Sequence, residues 1–160
     1  MRPNLSVHRN LIPSALLVLL ALCLSGTTTG ASPGGHPVAG NDNFDAATAI
    51  TTLPFSDITN TTSATTSADD PSLYCGNWNR GGNTVWWRFT PAHDGIILID
   101  TLGSNYDTVL AIWTGSRTAL ARVACNDDAG SRQSQLWLEA KAGATYFIEV
   151  AEYIDSGLSA

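Results

Sequence analysis

The chain has 160 residues, with 14 Asp+Glu against 8 Lys+Arg and a net charge of −6. A length of this order suits one domain once any leader is set aside. The acidic balance, with Lys141 the sole lysine, excludes a nucleic-acid binder that tracks a phosphate backbone and gives anionic membranes no basic face to hold.

Residues 1–31 read as a secretory signal. Arg2, His8 and Arg9 make a basic start, and residues 11–24 are an apolar run interrupted by Pro13 and Ser14. Small and polar residues follow over positions 25–31. The run is short for a membrane span of roughly 20 residues. Cleavage after Ser25 and after Ala31 both fit. A retained anchor and a lipoprotein at Cys23 are the alternatives, but Leu22 is bulky where a lipobox carries a small residue. Signal removal takes two arginines and no acid, so the exported chain is more acidic still.

It also takes Cys23 and leaves Cys75 and Cys125. An even number of cysteines in an oxidising compartment predicts a disulfide between them. Two buried thiols or half of a metal site are the rival readings, and no CxxC or Cys/His cluster supports the second.

Residues 32–40, rich in Gly, Ser and Pro, read as a flexible leader, and residues 41–160 as the domain. Phe44, Ala47 and Ile50, spaced by three, predict a short helical turn after Asn41-Asp42-Asn43. The Thr-rich stretch 51–67, with Pro54 inside it, predicts an edge strand or extended segment. Asp69-Asp70-Pro71-Ser72 and residues 77–83 are loops, with Gly81-Gly82 just before a strand.

Strands are then predicted over 85–90, 95–101, 107–114, 119–124, around Leu136 and Leu138, and over 145–151. The continuous apolar run from Ile96 to Ile99 predicts a strand covered on both faces. No later stretch holds a helical period. The pattern predicts an all-β fold, an antiparallel β-sandwich of jelly-roll type. The turn at Asp155-Ser156-Gly157 should lead into another strand, so the domain is expected to be incomplete at its C-terminus and to carry an open edge.

Five blocks occur in order: Asn41-Asp42-Asn43-Phe44-Asp45-Ala46-Ala47, then Thr84-Val85-Trp86-Trp87-Arg88-Phe89-Thr90-Pro91, then residues 104–115, then Val123-Ala124-Cys125-Asn126-Asp127-Asp128, then Thr145-Tyr146-Phe147-Ile148-Glu149-Val150. Together they resemble the bacterial pre-peptidase C-terminal domain over residues 41–153. That family is a secreted β-sandwich appended to proteases and other exported enzymes. It is similar to the collagen-binding domains of clostridial collagenases, some of which bind calcium. The resemblance implies a non-catalytic accessory role. Two departures stand out: no peptidase domain precedes the module, and the family's final strand is not found.

In calcium-binding relatives the ligands come from the segment entering the sandwich and from a nearby loop. The resemblance therefore points to Asn41 and Asp42 for the first and to Asp69 and Asp70 for the second. The positions before Asn41, where relatives place acids, hold Val38, Ala39 and Gly40, which leaves the ligand count short of the 6–8 oxygens calcium takes. The alternative is that Asn41-Asp42 cap the helical turn.

Asp127 and Asp128, between Asn126 and Gly130, are a second metal candidate, although turn chemistry alone accounts for those residues. Asp107 is expected to accept backbone hydrogen bonds. Trp78, in a loop, and Trp86 and Trp137, on the strand parity opposite the core, are candidates for a ligand-gripping aromatic surface, with burial on a second covered face as the alternative. His93 sits in a predicted turn, and no G-x-S-x-G, H-E-x-x-H or P-loop motif is present, so no catalytic residue is assigned.

The function expected is that of a secreted, non-catalytic binding or accessory module, with calcium as a stabiliser. Its partner would be an extracellular polymer, peptide or glycan, or a passenger enzyme. One alternative is a fragment of a secreted hydrolase whose catalytic domain lies outside this chain. Another is a surface protein that pairs its open sheet edge with a neighbour.

Overall fold

The computed structural model describes residues 1–9, 39–75 and 79–155. Its elements are β1 (Asn4–Arg9), a 3₁₀ turn (Phe44–Ala46), β2 (Thr48–Ile50), β3 (Phe55–Ile58), β4 (Asn79–Phe89), β5 (Gly95–Asp100), β6 (Thr108–Ser116), β7 (Ala119–Asn126), β8 (Gln135–Ala140) and β9 (Tyr146–Asp155). They build a four-stranded sheet in the order β3-β1-β5-β8 and a five-stranded sheet in the order β2-β4-β9-β6-β7. The fold is an all-β sandwich. Its pairings are antiparallel except β2 with β4, which run parallel, a departure from the all-antiparallel expectation.

The period-two alternation in the strands places the core. Val85, Trp87 and Phe89 of β4, Leu110 and Ile112 of β6, and Ile148 and Val150 of β9 face Ile97 and Ile99 of β5, Leu138 of β8, and Leu5 and Val7 of β1. Trp87 also places its Nε1–H on Asp57 Oδ2 at 3.0 Å, which satisfies the one polar atom of a buried indole.

The five-stranded sheet is covered on its other face as well. Trp86, Val109, Ala111, Trp113 and Ala151 pack there against Phe44, Ala47, Leu73 and Cys75. Residues 41–47 and 65–75, which flank the stretch that contributes β2 and β3 to the sheets, therefore form a third, largely irregular layer. Asn43 caps its 3₁₀ turn by accepting from the Asp45 amide at 3.1 Å. The Cys75–Cys125 disulfide, with Cα atoms 5.8 Å apart, ties this layer to β7. Arg117, in the turn after β6, ties it again: its Nε donates to Asp69 Oδ2 at 2.6 Å, and its guanidinium lies 5.4 Å from the Phe44 ring centre.

Two-sided burial thus falls on a different strand from the one expected. In β6, Thr108 through Trp113 are all buried. In β5 only one side is sealed: Ile97 and Ile99 face the core, while Ile96 is 50% exposed. The apolar run in β5 reflects an apolar open face rather than a second covering layer.

Gly81 and Gly82 belong to β4 rather than to a loop before it. A Cβ on Gly81 would come within 2.8 Å of Leu73 and 2.7 Å of Ala151, so the third layer's close approach requires a glycine there.

The largest difference from the sequence reading concerns residues 4–9. They fall in the basic start of the segment read as a signal, yet they form β1, between β3 and β5. Leu5 and Val7 are fully buried, alternating with Asn4, Ser6 and His8, which is the pattern of a half-buried strand. The apolar run 11–24, the leader up to Val38 and both cleavage positions lie outside the described residues. Among the described residues no helix is long and apolar enough to cross a membrane.

Candidate functional site

The two sheets differ in what covers their outer faces. The five-stranded sheet carries the third layer. The outward face of the four-stranded sheet presents Ile96 and Leu98 of β5, Ser6 and His8 of β1, and Gln135, Trp137 and Glu139 of β8. Leu98 stands directly between Trp137 and His8 in register, making a row of indole, aliphatic and imidazole side chains across three strands. Trp137 is 57% exposed and Ile96 50%. A flat apolar ring with polar neighbours such as Glu139 and Gln135 suits stacking on a sugar ring or an extended peptide. Asp100 lies at the same face, with Oδ2 3.9 Å from His8 Nε2. Burial raises its pKa, against the opposing pull of the Leu102 amide and of His8.

Of the other aromatic candidates, Trp86 is fully buried, which corrects its reading as a surface residue. Its parity is opposite to Trp87, but the face it points to is the one the third layer seals, and its ring meets Phe44 edge-on at 5.2 Å. Trp78 lies outside the described residues.

The entering-segment residues are engaged within the protein. Asn41 is buried, its Nδ2 donating to the Trp86 carbonyl at 3.1 Å and its own carbonyl accepting from the Trp86 amide at 2.9 Å. Asp42 accepts from the Thr65 amide and, at 2.9 Å, from the Thr65 hydroxyl. Asp69 pairs with Arg117, whose hydrogen bonds hold its carboxyl below the usual range. Asp70 Oδ2 accepts from the Ser67 amide at 2.9 Å and from the Thr84 hydroxyl at 2.7 Å. These four residues fasten the third layer onto β4 and the β6–β7 turn.

Metal-ligand spacing among the described residues occurs instead at Asp107, Asp127 and Asp128, whose nearest ligand atoms lie within 4.8 Å of one another. The sequence points to two of these as metal candidates and to Asp107 as an acceptor of backbone hydrogen bonds. In the structure its main-chain carbonyl takes that role, accepting from the Tyr153 amide at 2.9 Å, while its side-chain Oδ1 is buried without a hydrogen bond. Burial raises the Asp107 pKa, and the Asp128 charge adds to this against Arg132. The turn chemistry is present too: Asn126 Oδ1 accepts from the Gln135 amide at 3.0 Å, and Ser134 Oγ lies 2.6 Å from the Asp127 carbonyl. The signal that could have added Asp107 was its position at the start of β6, where chain reversal brings it beside the β7–β8 loop.

His93 is exposed and borders a cleft of about 500 Å³ between the 51–54 segment and the start of β5, lined by Leu53, Pro54, Phe89, Pro91 and Ile97. The lining is chiefly apolar, and among the described residues no ion pair to His93 is found.

Fold and site define a small, disulfide-closed β-sandwich with one armoured and one open sheet face, an object that fits an oxidising extracellular setting. No family model, curated protein or solved structure matches the chain.

Proposed function

We propose that this chain is an exported, non-catalytic binding module of the pre-peptidase C-terminal type, gripping an extracellular polymer, peptide or glycan through the open outward face of β5 and β8. The observation that carries this reading is Trp137, 57% exposed beside Leu98 and Ile96 on a sheet face without a covering layer. An indole has only two side-chain torsions, so little conformational entropy is lost when a ligand stacks on it. The five sequence blocks support the family membership, and the Cys75–Cys125 disulfide supports export.

Calcium is proposed as a stabiliser held by Asp107, Asp127 and Asp128. The donor set suits it: three carboxylates at one place, one with a buried oxygen that makes no hydrogen bond. Such an ion would supply charge neutralisation between the loop before β6 and the loop after β7.

The test is co-sedimentation with insoluble fibrillar collagen, cellulose, chitin and peptidoglycan, comparing the parent chain with Trp137→Ala. The expected result is retention on at least one polymer, lost in the variant while its melting temperature is unchanged. Absence of retention on all four, or retention indifferent to Trp137, would overturn the reading.

A further inference from the structure

Strand β1 has an unusual seat. It pairs with β3 over Asn4–Val7 and with β5 over Ser6–Arg9, and it is the link between two strands that do not pair with each other. The chain before it is seated as well. The Met1 carbonyl accepts from the Thr61 amide at 3.0 Å, and the Pro3 carbonyl from the Thr59 amide at 3.3 Å. On the other side, the Arg2 amide donates to Asn105 Oδ1 at 2.7 Å and the Asn4 amide to Ser104 Oγ at 3.0 Å. Leu5 and Val7 fill core positions between the sheets with no exposure.

These residues are also the start of a segment with the order of a cleavable export signal. Removal of that segment from a folded sandwich would leave a groove with two unpaired strand edges and the two core positions of Leu5 and Val7 open. Main-chain donors and acceptors on β3 and β5 would then face solvent in strand geometry, the arrangement that accepts an added strand.

We propose that the groove between β3 and β5 is a strand-accepting site that, in the exported chain, takes an extended segment of a partner polypeptide running antiparallel to β5. This rests on the export reading above and names its partner class as a peptide. The seat specifies the segment's chemistry. Its backbone bonds to both edges; two apolar side chains at alternate positions fill the places of Leu5 and Val7. A basic side chain follows, where His8 now faces the carboxylate of Asp100. Position 6 stays small and polar, opposite Ser56 and Asp100.

The experiment uses the full chain with a specific protease site inserted between Gly34 and Gly35. After folding, the chain is cut, residues 1–34 are separated from it in denaturant, the remainder is returned to buffer, and a labelled synthetic peptide of sequence PNLSVHR is added, with uptake read by fluorescence anisotropy. Uptake by the cut chain and not by the uncut chain is expected. A competitor peptide carrying Leu5→Asp and Val7→Asp should compete at least about 100-fold more weakly, since two buried aliphatic side chains are lost. A His8→Glu peptide should compete more weakly than His8→Lys. If cutting unfolds the chain, recovery of a cooperative melt on adding the peptide supports the proposal, and failure to recover overturns it. A cut chain that stays folded and takes up no peptide also overturns it, as does uptake indifferent to the two aspartates. The location and mass of the secreted product separate the two readings: a chain that stays inside the cell removes the export reading, an exported chain that keeps residues 1–31 removes the vacated groove, and failed uptake by a cleaved chain removes the strand-accepting site.

Discussion

Trp113 Nε1 donates to Oε2 of Glu149 at 2.8 Å, across the buried face of the five-stranded sheet. Glu149 is fully buried there, and its other oxygen makes no hydrogen bond. Burial is the first cause that drives its pKa well above 4.5, with the Asp70 charge adding to it and the Trp113 bond opposing. The folded state therefore holds this proton to higher pH than the unfolded chain does. The stabilisation is fully present below the unfolded pKa and is lost as pH rises through the folded one.

Glu149→Gln keeps an acceptor for Trp113 and removes the titration. Parent and variant should melt close together near pH 4, and the variant should melt higher at pH 8. Thermal melts across that range check it; parallel curves would contradict the assignment. Trp113→Phe should cost about 1–3 kcal/mol at every pH below the titration, because a buried carboxyl loses its donor.

The disulfide closes a loop of 50 residues and pins the layer over Trp86. In the chain-entropy account its loss costs about 4 kcal/mol. A Cys75→Ser, Cys125→Ser double variant should lose stability of that order in denaturant titration. It should also show faster amide exchange in residues 41–47 and 65–75, with little change in β5 and β8.

Adjacent parity separates two tryptophans by role. Trp86→Ala empties a sealed position and should cost about 3–5 kcal/mol. Trp137→Ala removes an exposed ring and should change stability by no more than about 0.5 kcal/mol. Chemical denaturation of both variants tests the contrast.

Most of the sandwich was legible in the sequence because period-two alternation is local. Val85-Trp87-Phe89 and Tyr146-Ile148-Val150 declared both strand and inward face. The position of the third layer was not legible. Trp86 and Trp137 both sit on the parity opposite the core, and only the long-range path of residues 39–75 decides that one is buried and the other open. The β2–β4 parallel pair depends on the same path. Residues 4–9 carried two compatible patterns, a basic start and a Leu5–Val7 alternation, and the charge pattern masked the strand. The Asp127–Asp128 pair was visible as a turn, but its companion Asp107 lies 20 residues earlier and is brought close by packing.

Calcium should raise the melting temperature of the full chain by binding the folded state alone. At a free concentration 100 times its dissociation constant the gain is about 2.7 kcal/mol. Asp127→Asn with Asp128→Asn should abolish the shift, and Asp42→Asn should leave it in place. A calcium shift removed by Asp42→Asn and kept by the double variant would move the ion to the entering segment.

The central claim, that ligand is held on the open sheet face and not on the covered one, is tested most directly by hydroxyl-radical footprinting of the chain bound to whichever polymer retains it. Protection is predicted at Trp137, Ile96 and Leu98, with Tyr74 and Val123, both exposed on the far side, as reactive as in the free chain. Protection of Tyr74 and Val123 with Trp137 still reactive would contradict it.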